Sequence, residues 1–181
     1  MLASALPALV SLAVMALVAD RLTRRALEDE LSARLITAAQ AAADALPSDR
    51  LVRLAPGDES SRTYAHVRSR LLPVADATST RLIVVKPDRT ALADSEGRLR
   101  IGELVPTFER DRMEIGLAAG GNATASTVMF EGSDGHLYKT GYAPVVSEDG
   151  HIVAVVGADG KSASFAALRR LRRLLGAVAI A

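Results

Sequence analysis

The chain contains few residues whose types and spacing could perform chemistry. The most suggestive run is Gly-Ala-Asp-Gly-Lys-Ser at residues 157–162, because Gly-Lys-Ser between a strand and a helix is typical of phosphate-binding loops. Such loops have another glycine five positions before the Gly-Lys pair, and here Val155 occupies that position. A loop shortened by two residues cannot wrap its amide groups round a phosphate. The run therefore predicts a strand-to-helix turn capped by Ser162.

The other reactive residue types are not arranged for catalysis. The chain has no cysteine, which excludes thiolate nucleophiles, disulfides and sulfur-ligated metals. The histidines, His66, His136 and His151, lack the spacing of a metal site, and no nucleophile elbow or dinucleotide-binding fingerprint occurs. The sequence predicts no catalytic residue, no metal site, no cofactor and no enzymatic activity in this segment.

The charged residues are balanced in number and uneven in position. The 22 basic and 21 acidic side chains give a net charge of +1, and 3% of the 181 residues are aromatic, with no tryptophan. These values argue against a nucleic-acid-binding protein. No charged side chain occurs in residues 1–19 or 174–181. The two ends are therefore suited to an apolar environment, whereas the charged middle is suited to water.

Residues 1–19 predict a transmembrane helix, since residues 2–19 are almost entirely Leu, Ala and Val and reach the minimum length for a bilayer. A buried helix or a cleaved signal peptide is the alternative, but a basic start is missing and Leu17 stands where a small residue is expected before cleavage. Residues 161–181 predict an exit helix that becomes the start of a second membrane helix.

Residues 20–46 lack glycine and proline and predict a long juxtamembrane helix that ends before Pro47. Its apolar stripe packs either on the sheet of its own domain or on the same helix of a second subunit, so we predict a homodimer. The alanines allow close approach of the packing partner. The stripe consists of Leu31, Leu35, Ala38, Ala42 and Ala45.

Residues 47–160 predict an α+β domain. Predicted helices cover 59–72, closed by Pro73, and 108–119; predicted strands cover 81–86, 90–94, 123–130, 136–146 and 151–158. Connections of about four residues join antiparallel neighbours. We therefore expect an antiparallel sheet of about five strands with both faces covered, since the last strand is apolar at successive positions. The helix of residues 20–46 covers one face, and the 59–72 helix with residues 97–121 covers the other and leaves a pocket.

Two runs resemble a known family: DATSTRLIVVKPDRTALAD at residues 76–94 and SDGHLYKTGYAPVVSEDGHIVAVVGAD at residues 133–159. With the flanking apolar segments, the chain resembles the extracytoplasmic Cache (PDC, PAS-like) sensor domains of bacterial sensor histidine kinases, diguanylate cyclases and chemoreceptors. The resemblance covers nearly the whole chain, and the length fits a single Cache module. It implies a PAS-like sheet covered by the long N-terminal helix and flanked by transmembrane helices.

The resemblance also implies a function. The segment is expected to be the ligand-sensing input domain of a transmembrane receptor, above all a sensor histidine kinase, that passes binding through its flanking helices. Residues 20–170 are then periplasmic and the protein lies in the inner membrane. Arginine collars at residues 21–25 and 169–173 favour the opposite orientation, a membrane-anchored cytoplasmic PAS-like domain. A membrane-tethered binding protein without signalling output is the other alternative.

Candidate ligand-binding residues come from two elements. Alternation along the strand at 136–146 places Tyr138 and Tyr142 on one face and Lys139 on the other. Ligands of the family lie between the sheet and the preceding helix and are often held by cationic side chains. This implies roles for His66, Arg68 and Arg70, whose guanidinium groups suit a carboxylate. The expected ligand is a small organic acid or similar polar metabolite.

Overall fold

The computed structural model describes residues 5–126, 129–132 and 135–161. The chain divides into two units, residues 1–31 and residues 32–181. In the first unit the described residues are helical, and Asp20 accepts a hydrogen bond of 3.1 Å from Arg24 one turn later. The second unit contains the sheet and the helices that cover it.

The helices and strands follow one another in the order α, then β, then α, then β. The α-helices are α1 Ala5–Ala45, α2 Ser48–Leu51, α3 Arg62–Thr78 and α4 Arg112–Ala119, with 3₁₀ turns at Asp58–Ser60 and Pro106–Glu109. The strands are β1 Arg81–Val85, β2 Ala91–Asp94, β3 Thr124–Ala125, β4 Phe130–Glu131, β5 Leu137–Val146 and β6 Ile152–Lys161.

The strands form one sheet in the order β2-β1-β6-β5-β3, and β4 pairs with β5. Every pairing is antiparallel. Short turns link β1 to β2 and β5 to β6, which explains why each of these pairs lies side by side. The predicted α+β architecture, an antiparallel sheet covered by a long N-terminal helix, is confirmed.

Four elements differ from their predicted bounds. The predicted helix 108–119 is the 3₁₀ turn Pro106–Glu109 followed by α4. The predicted strand 123–130 is two short strands, β3 and β4. The predicted turn at 157–161 is wrong, because β6 continues to Lys161; Ser162 lies outside the described residues. Helix α3 continues through Pro73 to Thr78, since Pro73 is exposed while Leu71 and Ala75 on the other side remain buried.

One face of the sheet packs against α1. The buried α1 residues include Leu35, Ala38 and Ala42, so this part of the predicted stripe lies in the domain's own core and is not available as a dimer seam. The buried side of α3 joins the same cluster through Tyr64 and Val67. The expectation that the 59–72 helix covers the opposite face is therefore wrong, because its apolar stripe continues the core that α1 begins.

The opposite face packs against the second 3₁₀ turn and α4. Phe108, Ile115 and Ala118 contact a separate cluster that contains Ile83 and Tyr142 of the sheet. Residues 97–121 thus cover this face, as the sequence predicts. Residues of the two clusters alternate along β1, β5 and β6, because successive side chains of a strand point to opposite faces.

Helix α1 approaches the sheet at two glycines. A Cβ atom built on Gly141 of β5 would lie 2.6 Å from both the carbonyl oxygen of Leu35 and the nitrogen of Ile36. A Cβ on Gly160 of β6 would overlap Cδ2 of Leu35 and lie 3.4 Å from its Cγ. Both positions are too close for van der Waals contact, so the helix can occupy this place only because these two residues lack a side chain.

No helix in the described ranges is long and apolar enough to cross a membrane. Residues 1–4 of the predicted first membrane helix lie outside the described residues, as do residues 162–181 of the predicted exit helix and second membrane helix.

The substitution Gly141→Ala is expected to lower the free energy of unfolding by about 3 kcal/mol, the upper end for overpacking, because its methyl group meets backbone atoms of α1 that cannot rotate away. Denaturant titration measures the change. Gly116→Ala in the exposed part of α4 is the control; its methyl group meets nothing within 4 Å, and we expect a gain of up to about 1 kcal/mol. Equal stability of both variants would contradict the close contact at Gly141.

Candidate functional site

A cavity of about 990 Å³ lies at the end of the sheet where β1 and β5 begin and β6 ends. Its floor consists of side chains from the face opposite the α1 contact, and the segment that follows β2 forms a wall. Arg34 of α1 and Leu72, Ala75 and Asp76 of α3 also line the cavity. The lining includes Arg81, Ile83, Ser95, Glu96, Arg98, Leu99, Phe130, Tyr138, Asp159 and Lys161. Its size is in the range of sites that enclose small molecules.

Three polar residues form a row across this face of the sheet, and two of them, Arg81 and Asp159, line the floor. In the sheet register Arg81 of β1 lies opposite Asp159 of β6, and Asp159 lies opposite Thr140 of β5. The Thr140 hydroxyl donates a hydrogen bond of 2.6 Å to Oδ1 of Asp159. Asp159 is 9% exposed, so a carboxyl group lies almost completely buried at the floor of the cavity.

Burial is the main reason why the pKa of Asp159 rises to about 6. The Thr140 hydroxyl and the positive charge of Arg81 act in the opposite direction, whereas the negative charges of Asp111 and Asp94 add to the increase. The desolvation cost of the carboxylate therefore exceeds the stabilisation that its neighbours provide. A cation placed in the cavity would supply the missing stabilisation.

Asp94 at the end of β2 is the second buried carboxyl group. Its side chain accepts two hydrogen bonds from Arg81, of 3.0 and 2.7 Å, and others from the backbone N–H groups of Glu96, Arg98 and Leu99. Although burial alone raises its pKa, the bonds and charge of Arg81 together with these amides lower the pKa below its usual value. Asp94 thus fixes the cavity wall and engages Arg81.

Aromatic rings frame the outer part of the floor. Tyr138 stacks on Phe130 with ring centres 5.6 Å apart, and the guanidinium carbon of Arg110 lies 4.9 Å from the centre of the Phe130 ring. The Nζ atom of Lys161 lies 5.7 Å from the centre of the Tyr138 ring. This region presents cations and aromatic surface to whatever occupies the cavity.

The two predicted tyrosines share a face, as strand alternation requires, and differ in role. Tyr138 lines the cavity, whereas Tyr142 lies fully buried farther along the strand and does not line it. The Tyr142 hydroxyl donates a hydrogen bond of 2.7 Å to Oδ2 of Asp111, and burial raises the pKa of both groups. Lys139 is buried and belongs to the opposite face of β5, with Gly141.

The three predicted cationic residues of α3 do not line the cavity. His66 is half-buried and Arg70 is exposed. Arg68 extends to the cavity wall from outside, where its Nη2 atom donates a hydrogen bond of 3.2 Å to the carbonyl oxygen of Ser95. Of the six predicted residues, the structure therefore brings only Tyr138 to the cavity and places Arg68 behind its wall.

Arg81, Asp94 and Asp159 are not among the residues that the sequence predicts for the site. The glycines on either side of Asp159 indicate a turn, although Asp159 continues the alternation of Val155 and Gly157 on one face of β6. A charged residue in such a buried row is the signal that could have identified it. The described ranges contain no group of three or more side chains able to hold a metal ion.

Asp159 is expected to make stability depend on pH. Its pKa is higher in the folded chain than the ordinary 3.8, so its contribution is full below pH 4 and is lost as pH rises through about 6. The free energy of unfolding should therefore fall by about 3 kcal/mol at most, relative to Asp159→Asn, between pH 4 and pH 7. Denaturant titrations at several pH values measure this difference. Asp149→Asn in the exposed β5–β6 turn is the control. The assignment would be contradicted if the difference in free energy of unfolding between the unaltered protein and Asp159→Asn did not vary with pH.

Comparisons with known proteins identify similar structures and no similar sequence. No protein-family model matches the chain, and no curated protein matches it. The E. coli DcuS sensor domain superposes with a TM-score of 0.52 at 14% identity, over 83% of this chain and 98% of that domain. The ligand-binding domain of the Campylobacter jejuni chemoreceptor Tlp3, solved with L-valine, gives 0.50 at 12% identity, over 77% of this chain and 54% of that one.

A third structure, the sensor domain of the Vibrio cholerae histidine kinase DctB, is 18% identical with a TM-score of 0.44, and covers 61% of this chain. The chain spans 41% of that domain and about half of the Tlp3 domain. At these identities the likeness concerns the fold. The strand order, the covering helices and the likeness to the DcuS and Tlp3 domains together show that the chain has the PAS-like fold of a single Cache module.

Proposed function

We propose that this chain is the ligand-sensing input domain of a transmembrane receptor, a sensor histidine kinase in the first instance. The observation that carries the proposal is the cavity at the end of the sheet, with the incompletely compensated carboxyl group of Asp159 at its floor. A buried ionisable group with a perturbed pKa in a concave site is characteristic of a binding site. In this proposal the domain binds and does not catalyse, and the output activity belongs to another part of the receptor.

The chemistry of the cavity defines the ligand class. Asp159 favours a ligand group that is cationic and can donate hydrogen bonds, such as an ammonium group. Arg81 is held by both Asp94 and Glu96, whereas the more exposed Arg98 pairs with Glu96, so a ligand carboxylate would face Arg98, together with Lys161, nearer the opening. The ligand we propose is a small organic acid that also carries an ammonium group, that is, an amino-acid-like zwitterion.

The location of the receptor follows from the apolar ends of the sequence and remains part of the proposal. The membrane helices predicted at residues 1–19 and within 161–181 would hold residues 20–170 in the periplasm, at the inner membrane, with α1 as one connection to the bilayer. A ligand that prefers one arrangement of sheet and helices shifts that equilibrium, and a continuous helix transmits the change. The receptor acts as a homodimer through surfaces other than the buried stripe from Leu35 to Ala42.

A thermal-shift screen of the 181-residue chain in detergent micelles tests the ligand class. Each amino acid is compared with its deaminated acid and its decarboxylated amine. We expect stabilisation by at least one amino acid, weaker effects of the two truncated compounds, and tighter binding as pH rises from 5 to 7, because Asp159 binds a cation when ionised.

Asp159→Asn is expected to weaken binding of that amino acid about tenfold or more, since a charged hydrogen bond is lost in a buried site. Asp149→Asn, in the exposed β5–β6 turn, makes the same chemical change away from the cavity and should leave binding unchanged. The proposed ligand class would be refuted if dicarboxylates or neutral compounds stabilised the unaltered chain and stabilised Asp159→Asn to the same extent.

An alkaline phosphatase reporter inserted between Gly132 and Gly135 tests the proposed location. The reporter folds to an active enzyme only outside the cytoplasm, so we expect activity comparable to that of an exported control fusion. An inactive but stably expressed fusion would favour the membrane-anchored cytoplasmic PAS-like domain that the arginine collars indicate.

A further inference from the structure

The cavity side of the sheet and the α1 contact involve neighbouring residues of β5 and β6. Asp159 belongs to the floor and Thr140 is its buried neighbour on the same face of the sheet, whereas the residues that follow them in the chain, Gly160 and Gly141, face α1. The residue of α1 that meets both glycines is Leu35: its backbone lies against Gly141 and its side chain against Gly160. At these positions only the thickness of the strand backbone separates the floor of the cavity from α1, and Arg34 of the same helix also lines the cavity.

This contact is unusually direct for a helix on a sheet. Elsewhere side chains lie between helix and strand and can change rotamer, whereas the backbone of α1 meets a glycine at position 141. Leu35 is 0% exposed, so its side chain is enclosed by other atoms of the domain where it meets Gly160. Close-packed interiors are poorly compressible, and a displacement of these strand positions must displace the helix or be absorbed at high cost.

We propose that Leu35, in contact with Gly141 and Gly160, is the residue through which a change at Asp159 on the cavity floor is transmitted to α1. The inference rests on the proposed function, in which the cavity binds the ligand. It adds a defined output: the backbone of β6 at Asp159 and Gly160 moves, and the Leu35 side chain carries that movement to the helix. Leu35 is a positioning residue here and does not touch the ligand.

The test replaces the ligand by a substitution, so its outcome does not depend on whether the proposed ligand binds. Asp159→Asn removes the charge from the floor with almost no change in shape. The 181-residue chain is labelled with ¹⁵N-isoleucine in detergent micelles, and the amide resonance of Ile36, the next residue of α1, is the reporter. Ile101 and Ile115 are reporters outside α1.

We expect Asp159→Asn to shift the Ile36 amide resonance by several linewidths in the unaltered background and by less than half as much in Leu35→Ala. The same chemical change in the exposed β5–β6 turn, Asp149→Asn, should leave Ile36 in place. If Leu35→Ala does not fold, Leu35→Val serves instead, because it also withdraws the Cδ atoms from Gly160. The double variant Leu35→Ala, Gly160→Ala should recover the response, since the new methyl group fills the vacated space.

An unchanged Ile36 resonance in Asp159→Asn would overturn the inference. An equal shift with and without the Leu35 side chain would also overturn it, because a through-space effect of the lost charge persists in Leu35→Ala whereas a mechanical effect does not. Either result leaves the ligand screen unaffected, so failure of the transmission route and failure of the proposed function are distinguishable.

Discussion

The close contact between α1 and the sheet is the constraint on which the rest of this domain depends. The helix packs Leu35 and small alanines against β5 and β6, and these strands have glycines at positions 141 and 160. With side chains at those positions the helix would lie farther out, and the core that α1 shares with α3 would lose contacts. Because α1 and α3 together cover this face, the opposite face is covered by the 3₁₀ turn and α4 and provides the floor of the cavity.

Two buried aspartates on that side show how environment decides the role of one residue type. Asp94 receives the guanidinium of Arg81 and three backbone amides, so its pKa is lowered and it acts as the anchor of the cavity wall. Asp159 receives the Thr140 hydroxyl, and burial raises its pKa. The first carboxyl group is satisfied by the protein itself. The second has capacity left for a partner, and it faces the cavity.

The sequence by itself determined the architecture, because that depends on local signals. Loops of about four residues require antiparallel neighbours, and the apolar last strand requires cover on both faces. Strand alternation is also a local property, and it is sufficient to place Tyr138 and Lys139 on opposite faces. The resemblance to Cache sensor domains is visible in the same strand-turn-strand runs, and it holds at the level of the fold.

Only the tertiary structure decided where the helices lie and which polar residues meet. A helix stripe shows that one side is buried and does not show against what, so the pattern of α3 is compatible with either face and the α1 stripe could equally have formed a dimer seam. Local sequence also indicates a turn at Gly160, although the glycine serves contact with Leu35, more than a hundred positions away. The row of Arg81, Asp159 and Thr140 exists because three strands share one register, which depends on long-range pairing and not on local propensity.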